Sequence, residues 1–150
     1  MKIYLASDHA AYELKEKIKK YLMDNYYTVE DKGTYSLESS SYVEYGADAA
    51  REVSEDPEDS VGIILCGSGL GMSIVANKFK NVRATVCNDL YTAEMSRKHN
   101  DSNVLNIGAR VVAPELALRI VDKWLNTEFE GNRHQMRLDQ LSNIEKANFK

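Results

Sequence analysis

The sequence has little cysteine, no surplus of basic residues and no long hydrophobic run, and each shortage excludes a class of protein. Its two cysteines, Cys66 and Cys87, do not make a disulfide framework, so a reducing compartment is the simpler expectation. Nineteen lysines and arginines against 23 aspartates and glutamates give a net charge of −4, which argues against a general nucleic-acid binder. We therefore expect no nucleic-acid partner. No apolar stretch approaches the length that spans a bilayer, so we expect no membrane partner either.

The first residues, MKIYLASDHAAYELK, place charges inside any apolar segment. We therefore expect neither a signal peptide nor a membrane anchor, and we expect a cytoplasmic protein. A length of 150 residues fits one domain, and the sequence shows neither an internal repeat nor a linker long enough to divide it. The expectation is a single domain over residues 1–150.

Short apolar runs alternate with helical patterns along the chain. The runs that predict strands are residues 3–6, 26–29, 61–66, 83–87 and 104–107. The patterns that predict helices are residues 11–22, about 47–53, about 71–79, 90–99, 116–125 and a last helix from about 134. Strands that alternate with helices predict a five-stranded parallel sheet with helices on both faces, a three-layer, Rossmann-like α/β/α sandwich.

A glycine-rich loop, CGSGLG, follows the third predicted strand. In open α/β sheets, sites form beyond the carboxyl ends of the strands, where this loop is expected to lie. Gly67, Gly69 and Gly71 let the backbone turn tightly and present N–H groups, which favours an anion or a developing oxyanion. The spacing is not the dinucleotide fingerprint, although Asp89 lies about where a ribose-binding acid could be. A tight turn without a ligand fits the glycines as well.

The two cysteines differ in their surroundings. Buried cysteines are usually inert small hydrophobic residues, and Cys87 fits that interpretation. Cys66 stands where the third strand opens into the glycine loop, and the N-terminus of the following helix favours a thiolate there. A thiolate can act as a nucleophile or as a base, and the sequence alone does not choose between them.

Three arginines are candidates for binding an anion. Arg133 and Arg137, in GNRHQMR, lie four residues apart on one face of the last predicted helix, and Arg110 follows the fifth strand. The planar guanidinium fork suits phosphate because it donates two parallel hydrogen bonds. The alternative is an ordinary solvated surface.

The three histidines are candidates for a polar site. His9 follows the first strand, His99 closes the fourth helix, and His134 lies beside the arginines. A helix C-terminus favours the protonated imidazole, which suits His99 to proton donation. A lone histidine is more often structural, but we expect that these three could converge on one rim. No spacing of cysteine, histidine and carboxylate residues predicts a metal site.

Several motifs together resemble the type B ribose-5-phosphate isomerases. They are CGSGLGMSIVANK, RKHNDSNVLNIGAR and EGNRHQMR, with SDHAAYELK and DKGTYS before them. The resemblance covers nearly the whole chain. It implies a cofactor-free aldose–ketose isomerase of the pentose phosphate pathway with a five-stranded parallel sheet. It also implies a homodimer, or a tetramer built from dimers, whose active sites are shared between subunits. The wider family includes isomerases of galactose 6-phosphate and allose 6-phosphate.

The resemblance also implies roles for individual residues. Cys66 matches the base that moves a proton between the first two sugar carbons, and Ser68 with the loop from Gly67 through Gly69 to Gly71 matches the hole that stabilises the enediolate. Asp8 and His99 match groups linked to opening of the furanose ring. The remaining matches are the sugar contacts Tyr42 and Asn100 and the phosphate ligands His9, Arg110, Arg133 and Arg137. The resemblance gives no clear role to His134.

One stretch departs from the family pattern. Many members have Asp-Tyr-Pro where this chain has Ser41, Tyr42 and Val43. The loss of the carboxylate puts in doubt any help it gives to sugar positioning or ring opening, and the loss of the proline predicts a less rigid loop.

Three functions follow as hypotheses. The first is interconversion of ribose 5-phosphate and ribulose 5-phosphate through an enediolate, with Cys66 as the base. The second is isomerisation of a six-carbon sugar phosphate, allose 6-phosphate or galactose 6-phosphate, with residues 41–43 and the helix around His134 tuning the length of the pocket. The third, from another class, is a nucleotide-binding module that uses the glycine loop and Asp89.

Overall fold

Five strands alternate with helices over residues 1–149, the part of the chain that this computed structural model describes. The strands are β1 (Lys2–Ser7), β2 (Thr28–Asp31), β3 (Ser60–Cys66), β4 (Ala84–Val86) and β5 (Val104–Gly108). The helices are α1 (Tyr12–Asp24), α2 (Tyr42–Glu55), α3 (Leu70–Ala76), α4 (Leu90–Lys98), α5 (Pro114–Leu125) and α6 (Arg133–Asn148). A 3₁₀ turn at His9–Ala11 precedes α1.

The strands form one sheet in the order β2-β1-β3-β5-β4, and every neighbouring pair is parallel. The predicted α/β class and the five-stranded parallel sheet are therefore confirmed. Several boundaries differ from the prediction. The largest difference is in α2, which begins at Tyr42 rather than at about residue 47, so Tyr42 and Val43 are helical and do not belong to a loop. β2 begins at Thr28 rather than at residue 26, because Tyr26 has a φ of +65° and belongs to the turn after α1. α3 ends at Ala76, because the Asn77 amide pairs with the backbone of Ala84 at the start of β4.

Alternating side chains of the strands build two hydrophobic layers. On one face, residues such as Ile3, Leu65 and Ile107 pack against α1, α4 and α5. On the other face, residues such as Ala6 and Ile64 pack against α2 and α3. Strands covered on both faces are expected to be almost wholly apolar, as β3 is. Among residues 1–149 no helix is long and apolar enough to cross a membrane.

The side of the sheet on which successive strands are added changes between the neighbouring strands β1 and β3. The connection from β1 leads to β2 on one side, whereas β5 and β4 lie on the other side of β3. Such a switch point opens a crevice beyond the carboxyl ends of the two strands. Asp8 and Cys66 stand at that crevice, and the Asp8 N–H donates to the carbonyl of Leu65 at 3.3 Å.

Candidate active site

Cys66 is the last residue of β3 and pairs with Gly108 of β5. Only 5% of the residue is exposed: Cys66 belongs to the hydrophobic layer under α2 and α3, and it also lines the wall of an open cavity. The backbone N–H of Gly69 donates to Sγ at 3.2 Å, a contact that stabilises negative charge on the sulfur. The thiol of Cys87, by contrast, is wholly buried, and burial raises its pKa. These surroundings agree with the interpretation of Cys87 as a structural residue.

The glycine loop is fastened to the loop that follows β5. The N–H groups of Ala109 and Arg110 donate to the carbonyls of Cys66 and Gly67, both at 2.9 Å. Gly69 has a φ of +84°, which favours glycine. A Cβ placed on Gly108 would lie 2.6 Å from the Ser68 carbonyl oxygen, so glycine is needed there for the close approach of the two backbones. The loop therefore holds its position next to the thiol through backbone contacts.

A cavity of about 430 Å³ opens in front of the thiol and the glycine loop. Its walls contain seven of the residues predicted as site residues and one that sequence reasoning missed, Val111. The complete lining is Asp8, Tyr42, Cys66, Gly67, Ser68, Gly71, Arg110 and Val111. Val111 gave no chemical signal in the sequence, because it contributes only an exposed aliphatic side chain directly after Arg110.

Asp8 and Tyr42 frame the cavity from opposite elements. Asp8 is 8% exposed and caps the 3₁₀ turn, where its Oδ1 accepts from the N–H of Ala11 at 3.2 Å. Tyr42 is the first residue of α2, and its ring lies over Gly71, where an added Cβ would come within 2.9 Å of it. His9 follows Asp8 at the same edge of the sheet.

Arg110 brings a positive charge to the cavity. Its side chain lies along Gly67, where an added Cβ would be 3.4 Å from the arginine Cδ. Within residues 1–149 no carboxylate lies within ion-pair distance of Arg110, Arg133 or Arg137. Arg51, Arg83 and Arg97 each have a carboxylate partner, whereas these three, like Arg119 on α5, have none among the described residues, so their guanidinium groups can meet an external anion.

A second group of predicted residues lies elsewhere, where α4 ends and α6 begins. His99 stacks on His134 with ring centroids 4.3 Å apart and an interplanar angle of 17°. His134 is buried, and burial, together with the nearby His99 and arginines, lowers its pKa and favours the neutral ring. Asn100 lines a groove with Leu138 of α6. The two arginines of this second group, Arg133 and Arg137, are exposed.

The two groups lie at opposite edges of the sheet. α4 starts after the carboxyl end of β4 and runs back, so His99 and Asn100 precede the amino end of β5. A strand rises about 3.3 Å per residue, so the five residues of β5 hold the two edges roughly 16 Å apart. The expectation that His9, His99 and His134 could converge on one rim is therefore wrong within a single chain: only His99 and His134 meet.

We use two names from here on. The carboxyl-end group consists of Asp8, His9, Tyr42, Cys66, Ser68, Arg110 and the glycines Gly67, Gly69 and Gly71. The amino-end group consists of His99, Asn100, Arg133, His134 and Arg137.

The amino-end group could also offer ligands to a metal ion. Donor atoms of His99, Glu130 and His134 lie within 4.8 Å of one another. Spacing along the chain gave no sign of this cluster, because it joins the ends of two helices. The positive charges of Arg133 and Arg137 disfavour the binding of a divalent cation there and favour the binding of an anion.

Asp89 is committed to a local structural role. Its carboxylate caps α4 by accepting from the N–H of Thr92 at 2.7 Å, and that backbone hydrogen bond lowers its pKa. The side chain that could have bound a ribose in a nucleotide-binding module is thus already engaged.

Comparison with known proteins agrees with this geometry. The profile of the family described as Ribose/Galactose Isomerase matches residues 3–141. The chain is 46% identical over 144 residues to "Ribose-5-phosphate isomerase B" of Escherichia coli, covering 96% of each chain. The solved structure of Clostridium thermocellum ribose-5-phosphate isomerase B is similar with a TM-score of 0.94 at 48% identity, covering 98% of this chain and 99% of that one.

A further solved structure carries a sugar phosphate. Ribose-5-phosphate isomerase B from Mycoplasma genitalium, with bound ribulose 5-phosphate, is similar with a TM-score of 0.95 at 34% identity, covering 97% of this chain and 96% of that one. The resemblance found in the sequence motifs is confirmed by these matches over nearly the full length of the chain. This protein belongs to the ribose/galactose isomerase family of enzymes.

Proposed function

We propose that the chain interconverts ribose 5-phosphate and ribulose 5-phosphate, a step of the pentose phosphate pathway, with Cys66 as the base. The observation that carries the proposal is the cavity in which the thiol, the glycine loop and Arg110 meet. Support also comes from the relatives, since the E. coli protein is named for this activity and the M. genitalium structure holds ribulose 5-phosphate.

Isomerisation moves one proton between two carbons and one between their oxygens, and it needs no external oxidant. In the open-chain aldose, the Cys66 thiolate takes the proton from carbon 2, and the electron pair of that C–H bond forms the carbon–carbon double bond of an enediolate. The negative charge develops on the oxygen of carbon 1. The thiol then returns the proton to carbon 1, the proton of the hydroxyl on carbon 2 passes to the oxygen of carbon 1, and the carbonyl forms at carbon 2. Oxidation of one carbon balances reduction of the other, so the residues of this chain suffice.

The glycine loop stabilises the charge that develops in this step. Ser68 and the N–H groups between Gly67 and Gly71 stand next to the sulfur that moves the proton. One donor aimed at a developing oxyanion typically contributes about 3–4 kcal/mol to lowering the barrier. Because the loop is fixed to Gly108 and Arg110 by the backbone, these donors need little reorganisation during the reaction.

The sugar must open from its furanose form before the proton can move. Opening requires one group that takes a proton from the anomeric hydroxyl and one that protonates the ring oxygen. Asp8 beside the thiol and His99 of the amino-end group serve these roles. Tyr42 and Asn100 contact the sugar hydroxyls.

Four residues bind the phosphate. They are His9 and Arg110 of the carboxyl-end group and Arg133 and Arg137 of the amino-end group. Arginines that have no carboxylate partner in the described part of the chain suit a dianion, and their binding energy orients the reacting carbons over the thiol.

One chain does not bring both groups to a single substrate, so the active site requires a second copy. In a dimer, the amino-end group of one subunit closes the cavity of the other, and a tetramer would be built from such dimers. Exposed aliphatic side chains surround the cavity, as expected for a surface that a partner covers. Val111 lines the cavity, and Val43 and Leu70 are chain neighbours of the lining residues Tyr42 and Gly71; the three are between 48% and 62% exposed.

The family also gives reason to test a six-carbon substrate, since its description includes galactose. Tyr42 lines the cavity, and its neighbours Ser41 and Val43 are the residues that depart from the family pattern. Comparing kcat/KM for ribose 5-phosphate, allose 6-phosphate and galactose 6-phosphate decides between the sugars. We expect the five-carbon sugar to have the highest value.

The direct test is exchange of the proton at carbon 2 of ribose 5-phosphate, followed by NMR in deuterated water. We expect exchange together with ribulose 5-phosphate formation, without added metal or cofactor and in the presence of a chelator. Absence of exchange, or strict dependence on a metal, would contradict the proposal. Binding of NAD or ATP without isomerase activity would favour the nucleotide-binding module instead.

A further inference from the structure

His9 and Ser40 exchange two hydrogen bonds although they are 31 residues apart in the sequence. The backbone N–H of His9 donates to Ser40 Oγ at 3.2 Å. In return, the backbone N–H of Ser40 donates to Nδ1 of the His9 ring, also at 3.2 Å. The pair joins the turn after β1 to the loop that leads into α2, and both residues are partly buried.

The second of these bonds fixes the protonation of the imidazole. A backbone N–H can only donate, so Nδ1 must carry a lone pair and no proton. The neutral ring then has its single proton on Nε2. A charged imidazolium would place the Nδ1 proton against the Ser40 N–H, and the bond would be lost. With the Nδ1 lone pair engaged, Nε2 is the ring nitrogen left to donate to a ligand.

Ser40 is distinguished from its two serine neighbours. Among the described residues, no hydrogen bond involves the side chain of Ser39, and the Ser41 hydroxyl does not cap α2 although it stands at the N-cap position. Both neighbours are exposed, whereas Ser40 is partly buried. The reciprocal contact with His9 therefore belongs to Ser40 alone in this run of three serines.

The loop from Lys32 to Ser41 is attached at both of its ends. At its start, the N–H of Gly33 donates to Asp31 Oδ1 at 2.9 Å, and the N–H of Thr34 donates to the Ser7 carbonyl at 2.7 Å. Residues 35–39 between the attachments are exposed. Ser40 is the attachment at the far end, two residues before Tyr42 on the wall of the cavity.

We propose that Ser40 is a positioning residue that holds His9 in one orientation and in its Nε2–H tautomer. In that state His9 meets the substrate phosphate as a neutral hydrogen-bond donor, while Arg110 and the arginines of the amino-end group balance the charge. The proposal deepens the proposed function, on which its phosphate-binding part rests.

Ser40→Ala keeps the backbone N–H that donates to Nδ1 but removes the Oγ acceptor that holds this N–H in place against the His9 backbone. Ser39→Ala is the matched control, and Ser40→Thr retains the hydroxyl. We expect Ser40→Ala to raise both the KM for ribose 5-phosphate and the Kd for inorganic phosphate by about 3- to 10-fold, the worth of one hydrogen bond. The kcat should change by less than about twofold, since the base and the glycine loop are untouched. Ser39→Ala should match the unaltered protein, and Ser40→Thr should restore binding.

The tautomer is read directly from long-range ¹H–¹⁵N correlations of the histidine rings near pH 7.5, with His9→Gln identifying the His9 signals by their loss. We expect His9 Nδ1 to show the shift of an unprotonated nitrogen in the unaltered protein and a mixture of tautomers in Ser40→Ala. A protonated Nδ1 in the unaltered protein, or phosphate binding by Ser40→Ala equal to that of Ser39→Ala, would overturn the proposal.

These readouts separate the two proposals. The tautomer is measured in the unaltered protein, so the inference stays open to disproof even if Ser40→Ala fails to fold. A protein that shows the predicted tautomer and phosphate binding but does not exchange the carbon 2 proton would contradict the proposed function alone. Isomerase activity with a protonated Nδ1 would contradict the role of Ser40 alone.

Discussion

The carboxyl-end group and the amino-end group are built in different ways. The first consists of strand ends and short loops, fastened by backbone bonds such as Arg110 N–H to the Gly67 carbonyl. The second stands on the ends of two helices, and its arginines are exposed and without a carboxylate partner in the described part of the chain. The difference fits the division of labour in the proposed function, in which one edge of the sheet fixes the base and the other supplies cations and a proton donor to a neighbouring subunit.

The α6 helix carries the two arginines of the amino-end group on a largely exposed surface. Of its residues, only His134 and Leu138 are buried. Exposed apolar side chains, including Leu141 and Ile144, leave much of the helix without a partner within one chain. The carboxyl-end group, by contrast, rests on the fully buried centre of β3. A base set in the sheet and a clamp on an exposed helix are the two halves that separate substitutions can test.

The largest effect is expected from Cys66→Ala, which removes the base from the carboxyl-end group. General-base catalysis contributes about 10²–10⁴-fold, so kcat should fall by about 10³-fold while the fold is retained. Cys87→Ser is the control, since that thiol faces the core and should leave kcat unchanged. A Cys66→Ala protein that isomerises ribose 5-phosphate at the parent rate would show that the base is wrongly assigned.

The second-largest effect on kcat is expected from a substitution that displaces the glycine loop. Gly108→Ala places a methyl group 2.6 Å from the Ser68 carbonyl oxygen, so the glycine loop must shift. We expect kcat to fall by about 10²-fold, the scale of losing one oxyanion donor. Gly62→Ala crowds valine side chains in the middle of the sheet, and it should lower the melting temperature without reducing kcat. Equal kinetics for the two variants would argue against a positioned loop.

Removal of a cation from the amino-end group should change binding rather than chemistry. Arg133→Ala should raise the KM for ribose 5-phosphate by about 10- to 100-fold, since a charge-assisted hydrogen bond contributes about 1.5–3 kcal/mol. The kcat at saturating substrate should fall much less. Arg119→Ala, an exposed arginine on α5, is the control and should leave KM unchanged. A fall in kcat without a change in KM would contradict the phosphate role.

The smallest effect concerns the loop that departs from the family pattern. Ser41 is the N-cap of α2, but its side chain makes no capping bond. Ser41→Asp should cap the helix and complement its dipole, and we expect a gain of about 0.5–1 kcal/mol in the free energy of unfolding by urea. The gain should vanish as the pH falls through the carboxyl pKa, because only the ionised cap is favoured by the dipole. No gain at neutral pH would show that residues 40–42 do not adopt cap geometry in solution.

The sequence predicted the sheet, the glycine loop and the thiol at its edge because each depends on local patterns. Apolar runs such as residues 61–66 can form little other than buried strands, and glycines at alternate positions mark a tight turn. It could not place His99 relative to Cys66, since that requires knowing that α4 returns along the sheet to the opposite edge. The contact of His9 with Ser40 could not be predicted for a similar reason, since nothing in either segment marks a partner 31 residues away.

The central claim is that one active site takes its base from one subunit and its proton donor and phosphate clamp from another. Mixing the two inactive variants Cys66→Ala and His99→Ala, after unfolding and refolding them together, tests it directly. A random mixture of dimers should recover about a quarter of the parent activity, because each mixed dimer holds one intact site and one doubly defective site. If the mixture is as inactive as its components although mixed dimers form, the two groups do not share a site across subunits, and the account is wrong.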